Sequence, residues 1–203
     1  MNSSVTASML RSRRATNRGS SLVEILITLV IVAIGLLGLA ATQAAMQTAD
    51  VESYQRSQAL VLIDDMLDRI NANRYAAPCY AITTAGTGSP YLGAAGSGHL
   101  GAPACTLGSV TAEQLAQANS DLQEWNDLLN GTAEARDGAD IGAMSGARGC
   151  VTFDAATGTY TIIVNWQGRT DTFAPVVSCA NGLYGAETQR RAVWLTLSIA
   201  DLM

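Results

Sequence analysis

Residues 19–45 read GSSLVEILITLVIVAIGLLGLAATQAA, an apolar run with one ionisable side chain, Glu24. A helix needs about 20 apolar residues to cross a hydrocarbon core of about 30 Å, and Leu22 to Ala45 supplies them. Ahead of the run, residues 1–18 carry Arg11, Arg13, Arg14 and Arg18 and no acid. A basic stretch before an apolar span is a membrane-targeting signal that keeps its basic end in the cytoplasm. Glu24 sits at the mouth of the span, where an unpaired carboxylate costs on the order of 2–3 kcal/mol or more. A secretory signal peptide ending near residues 41–45 (ATQAA) would have an overlong apolar region and an unusual acid at its front. A plain signal-anchor would have to let Glu24 snorkel to the interface.

The rest of the composition separates around this run. Of 203 residues, 48% are hydrophobic and 14% are charged, against about a quarter charged in a typical soluble domain. Such an average mixes a membrane segment with a low-charge domain. The 12 basic residues are all Arg, and with 17 acids the net charge is −5, which argues against a nucleic-acid binder needing a basic face. Without residues 1–19, 8 Arg remain against 17 acids, a more acidic chain.

No Pro precedes Pro78, and the helical pattern continues past Ala45. Ala59, Ile63, Met66 and Ile70 recur at steps of four, three and four, joined by Leu62 and Leu67, which predicts one broad buried stripe. Glu52–Arg56 and Asp65–Arg69 are acid-before-base pairs at i,i+4, each worth about 0.3–0.5 kcal/mol. Asn71 and Asn73 mark the end. A helix from about Ser20 to Ala72 would be about 80 Å long at ~1.5 Å per residue. Gly35 and Gly38 either soften its middle or serve ordinary packing between membrane helices.

Residues 75–112 hold no Asp, Glu or Arg, and seven of the 19 Gly, which reads as loop, with turns at Gly88-Ser89-Pro90 and Gly96-Ser97-Gly98. Thr111 and Gln114 then form a capping box for a second helix, whose apolar face is Leu115, Ala118, Leu122, Trp125 and Leu129. Glu113, Asp121, Glu124 and Asp127 read as its solvated face rather than as metal ligands. Three strands follow: one through Val151 and Phe153, one through Tyr160, Ile162, Val164 and Trp166, and one over 190–202 with Val193, Leu195, Leu197 and Ile199 on one face. Three antiparallel strands need a cover, and the stripe from Ala59 to Ile70 is the expected lid.

The cysteines are Cys79, Cys105, Cys150 and Cys179. None is in a CxxC pair, and His99 is the only histidine, which argues against a metal site and against Cys–His catalysis. An even number beyond a membrane span reads as disulfides. Three connectivities are open, and Cys79–Cys105 with Cys150–Cys179 is favoured because each then bridges a loop-rich stretch beside a regular element. No nucleophile elbow, P-loop or zinc motif is present. The expectation is a protein that is not an enzyme, with no cofactor.

Gly19-Ser20-Ser21-Leu22-Val23-Glu24 behind a basic leader resembles the class III signal of type IV prepilins. That resemblance implies cleavage after Gly19, a new N-terminus at Ser20, where the family usually has Phe and N-methylates it, and Glu24 at position five of the mature chain. In the family this Glu neutralises the terminal amine of a neighbouring subunit during assembly. GLLGLA (35–40), RSQALVLIDDMLDRINANR (56–74), GCVTFD (149–154), YTIIVNWQGR (160–169) and RRAVWLTLSIADL (190–202) extend the likeness. They resemble the PilV-type minor pilins, also called type IV pilus modification proteins.

The fold implied is α+β and type IV pilin-like, a long N-terminal transmembrane and assembly helix whose C-terminal half packs on a small antiparallel sheet. The organisation expected is a cleaved leader at 1–19, the membrane half of the helix at 20–45, and an exported head at 46–203. The implied function is a minor pilin in the assembly-priming complex at the pilus tip. A minor pseudopilin of type II secretion and a membrane-anchored periplasmic ligand-binding module are the alternatives. Implied partners are major and minor pilins, the inner-membrane assembly platform and prepilin peptidase, with a large tip adhesin as a further candidate; nucleic acid is not among them. The implied location is the inner membrane of a Gram-negative cell with the head in the periplasm, then the pilus surface.

Overall fold

The stripe of Ala59, Ile63, Met66 and Ile70 is one buried face of a 51-residue helix, α1 (Leu22–Ala72). The computed structural model describes residues 21–94, 105, 110–132, 135–136, 139–140 and 144–199. It divides into two compact units, residues 1–46 and 47–203, and α1 contributes to both. The helix runs unbroken through Gly35 and Gly38, where added Cβ atoms would meet nothing within 4 Å.

In the second unit the stretch expected as loop contains regular structure. A 3-10 turn (Arg74–Ala76) leads into a one-turn helix, α2 (Ala77–Tyr80), started by Pro78 in its first turn. Burial of Ala76, Ala77, Cys79 and Tyr80 holds these turns in the core, a tertiary gain that the apolar but Gly-rich composition hides. Gly96-Ser97-Gly98 and His99 lie outside the described residues.

Helix α3 (Ala112–Leu129) begins with the capping box: Gln114 N–H donates to Thr111 Oγ1 at 3.2 Å and Thr111 N–H to Gln114 Oε1 at 3.0 Å. Its Ala118, Leu122, Trp125 and Leu129 are buried.

The sheet has four strands rather than three, in the order β1 (Leu92–Gly93), β4 (Arg148–Asp154), β5 (Thr159–Gln167), β6 (Arg190–Ser198), with every neighbouring pair antiparallel. The added strand is two residues long, too short to carry an alternating pattern. Another two-residue pair, β2 (Ala135–Arg136) and β3 (Ala139–Asp140), forms a separate ladder. The last strand ends at Ser198, short of the expected 202, and residues 200–203 lie outside the described residues. Val151 faces Ile162 across the ladder, and Ile162 faces Leu195. These side chains share one hydrophobic cluster with Ile63 and Met66 of α1 and Trp125 of α3. The molecule is therefore α+β and pilin-like in arrangement: a long apolar N-terminal helix, whose later turns join the core of a small antiparallel sheet.

The other face of the sheet is covered as well. Cys150 bonds to Cys179, 5.9 Å apart at Cα, and draws the segment around Ala180 and Tyr184 over Ile163. Asn165, fully buried on that face, donates from Nδ2 to the Cys179 carbonyl at 2.6 Å, and Arg190 reaches the carbonyls of Val177 at 2.8 Å and Cys179 at 3.3 Å. Cys79 bonds to Cys105, 5.2 Å apart at Cα. The sequence separations are 26 and 29 residues. In the chain-entropy treatment each closure contributes about 3.5 kcal/mol. Reducing agent is therefore expected to lower the thermal midpoint sharply and to raise the intact mass by the hydrogens of four thiols. Four free thiols in unreduced protein would remove both bonds.

Candidate functional site

The N-terminal turn of α1 is built by its backbone. Ser21 stands just outside the helix, and its carbonyl accepts from the N–H of Glu24 at 2.9 Å and of Ile25 at 3.3 Å. Glu24 thus lies in the first helical turn, where free N–H groups and the helix dipole favour a negative charge. Its side chain is exposed. Gly19 and Ser20, the expected cleavage and methylation residues, lie outside the described residues.

From Leu22 to Met46 every residue is exposed; Leu22 is 79% accessible and Leu37 70%. The most apolar 18-residue window of α1 has a mean hydropathy of 2.8 and none of it is buried. Contiguous exposed apolar surface on this scale is unfavourable in water and marks contact with lipid or with other proteins. Thr28 and Thr42 do not interrupt it, because each hydroxyl bonds back to a carbonyl of its own helix at 2.8 Å.

Residues 14–40 match the prokaryotic N-terminal methylation motif. The matched stretch is prepilin-like, includes Gly19, Ser20 and Glu24, and takes in most of the exposed apolar run. It indicates a pilin-like or pseudopilin-like protein, structural in type, that assembles with other pilins and membrane machinery. With the apolar helix behind it, the motif fits membrane anchoring and display on a pilus surface. It covers 27 of the 203 residues and does not extend to the head. Comparison with curated proteins and with solved structures found no match to the chain.

The second unit holds two polar clusters that differ from the sequence expectation. Asp121 is 5% exposed rather than solvated. It accepts from the Tyr80 hydroxyl, from Gln117 Nε2 at 2.8 Å and from Arg69 Nη1 at 3.3 Å. Arg69 also pairs with Asp65 at 2.7 Å, as its spacing predicts, and with Glu124 at 2.7 Å. Burial pushes the Tyr80 phenol well above its usual range, and the hydrogen bond to the Asp121 carboxylate adds to that. A groove of about 670 Å³ beside the cluster is lined by Asp65, Asp68, Glu113 and Asp121 with Arg69. Among the described residues no group of three or more His, Cys, Asp or Glu could hold a metal ion.

The second correction concerns Glu52. Its carboxylate turns away from Arg56 and accepts from Arg191 Nη2 at 3.2 Å, the Thr170 hydroxyl at 3.1 Å and the Arg169 N–H at 3.3 Å. Burial works against its ionisation, but those donors and the Arg191 charge outweigh it and hold the Glu52 carboxyl below the usual range. A contact between residues 139 apart in the chain leaves no local signal.

Proposed function

We propose that the chain is a minor pilin of a type IV pilus, of the PilV type, acting in initiation of assembly at the pilus tip. The observation that carries the reading is the placement of Glu24 in the first turn of an exposed apolar helix, inside the matched methylation motif. In this reading residues 1–19 are a leader removed by prepilin peptidase, residues 20–45 form the membrane and assembly half of the helix, and residues 46–203 form an exported head held by two disulfides. The α-amine created at Ser20 and the Glu24 carboxylate both enter an apolar environment, where each is unfavourable alone. Pairing Glu24 with the amine of the adjacent subunit resolves both charges and orders the subunits.

The role is structural, with no catalytic step and no cofactor. Its partners are major and minor pilins and the inner-membrane assembly platform. The protein waits in the inner membrane of a Gram-negative cell with its head in the periplasm, and then moves into the pilus.

N-terminal sequencing of the protein from its host is expected to begin at Ser20, and Gly19→Ala is expected to leave the leader attached. A natural N-terminus at Met1 would favour a membrane-anchored module, and one near Ala45 a cleaved signal peptide. Either result overturns the pilin reading.

A further inference from the structure

Of the large apolar side chains among the described residues, Phe173 and Val176 are the most exposed, at 98% and 89%. They belong to Phe173-Ala174-Pro175-Val176-Val177, five apolar residues in a row between β5 and Cys179. The run is fastened at both ends. Before it, Thr172 N–H donates to the Thr188 carbonyl at 2.8 Å, and the Thr188 hydroxyl donates to Asp171 at 3.1 Å. Within it, the buried Arg190 donates to the carbonyls of Pro175 at 3.2 Å and Val177 at 2.8 Å. A backbone held this way keeps Phe173 and Val176 in water, where their apolar surface is unfavourable.

The same loop is tied to α1 at one carboxylate. Arg169 N–H and the Thr170 hydroxyl donate to Glu52 at 3.3 and 3.1 Å. Glu52 stands two residues beyond Asp50, the first ionisable side chain in α1 after Glu24. Counted along the helix, it is seven residues past Ala45, about 10 Å at 1.5 Å per residue. The headgroup layer of a bilayer takes up about 5–7 Å of that distance. From Thr170, three extended residues bring Phe173 up to about 10 Å further. An apolar tip tied at Glu52 is therefore within reach of a bilayer that holds the apolar half of α1. A protruding aromatic tip suits fluid lipid, which needs no matching pocket, and aromatic rings favour headgroup depth. We propose that the tip formed by Phe173 and Val176 inserts into the surface of the bilayer in which α1 is anchored. Of the pilin reading above, the proposal uses only that this half of α1 stays in a bilayer.

The test uses the full chain, labelled with fluorophenylalanine, in nanodiscs of phosphatidylethanolamine and phosphatidylglycerol. The chain has two Phe, so fluorine NMR reads two signals, assigned with Phe153→Leu. Phe153, 41% exposed, is the internal control. It pairs with Tyr160, six residues along β5 from Trp166, the partner of Arg191, which itself bonds Glu52. That is about 20 Å of strand away from the tie to α1. A lipid with a nitroxide high on its acyl chain is expected to broaden Phe173 several-fold more than Phe153. A water-soluble gadolinium chelate is expected to do the reverse. Val176→Asp, at a solvent-facing position, is expected to exchange the two responses of Phe173, because a charge opposes insertion. Strong broadening of Phe173 by gadolinium in the unaltered chain would overturn the proposal. Protection from both reagents would put protein rather than lipid over the tip and overturn it too, as would unchanged responses in Val176→Asp. N-terminal sequencing decides the pilin reading separately: a start at Met1 would end that reading and leave the lipid broadening as it is.

Discussion

Glu24→Ala is expected to leave leader removal intact while reducing incorporation into surface fibres by about two to three orders of magnitude. In the proposed assembly, removing the carboxylate leaves the terminal amine of the adjacent subunit charged and unpaired in an apolar surround. Breaking one partner of such a buried pair costs about 3–5 kcal/mol, and each ~1.4 kcal/mol is a factor of ten. The measurement compares shed fibres with membranes by quantitative immunoblot. Glu24→Gln separates charge from hydrogen bonding, since it keeps the shape and an acceptor. A fall with both variants supports the charge pair, and normal incorporation of either one would remove it from the mechanism. The position matters because Glu24 is in the first turn of α1, beside backbone N–H groups that already favour an anion there.

Trp125→Ala is expected to be the most damaging single change in the head. The side chain is fully buried, and its indole N–H donates to the Leu62 carbonyl at 2.9 Å, tying α3 to α1. The ring edge also lies so close to β4 that a Cβ added at Gly149 would come within 2.4 Å of it. Truncation removes this packing and leaves a cavity among α1, α3 and the sheet. Losses of this kind run to about 3–5 kcal/mol, against a total stability of about 5–15 kcal/mol. A fall of about 10 °C or more in the thermal midpoint is expected for a unit of this size. Trp194, 46% exposed on β6, is the control, and its replacement by Ala should shift the midpoint by far less. Equal shifts would show that Trp125 is not a centre of the core.

The long-range outline was legible where periodicity met burial. Ala59, Ile63, Met66 and Ile70 all reach the core, and Thr111 with Gln114 starts α3 as the capping box requires. Asp121 departs from the solvated face expected of it, although its spacing holds the clue: it stands three residues after Ala118 and four before Trp125, on the buried side. A charge there needs buried partners, and Arg69 and Tyr80 supply them from 52 and 41 residues away. Gln55, four residues before Ala59, is buried by the same geometry. The sheet's second covered face was invisible for another reason. Tyr160, Ile162 and Val164 are an alternating set, but Ile163 and Asn165 are buried too, because a disulfide holds a later segment over them. Alternation reports one buried face, and only the tertiary fold reveals a second.

The two disulfides have a consequence for how the chain survives being cut. Cys79–Cys105 closes a covalent ring around residues 80–104, and Cys150–Cys179 closes another around 151–178. Both rings come after the end of α1 at Ala72. A protease that nicks either ring once severs the backbone but releases no fragment, because the sulfur bridge still joins both pieces to the helix. Two cuts in the same ring are needed to free a peptide from it. The stretches where one cut detaches part of the head are residues 73–79, 105–150 and those from 179 onward. A single clip at an exposed turn inside a ring, such as residues 84–87 or 155–158, would thus leave every piece joined to α1.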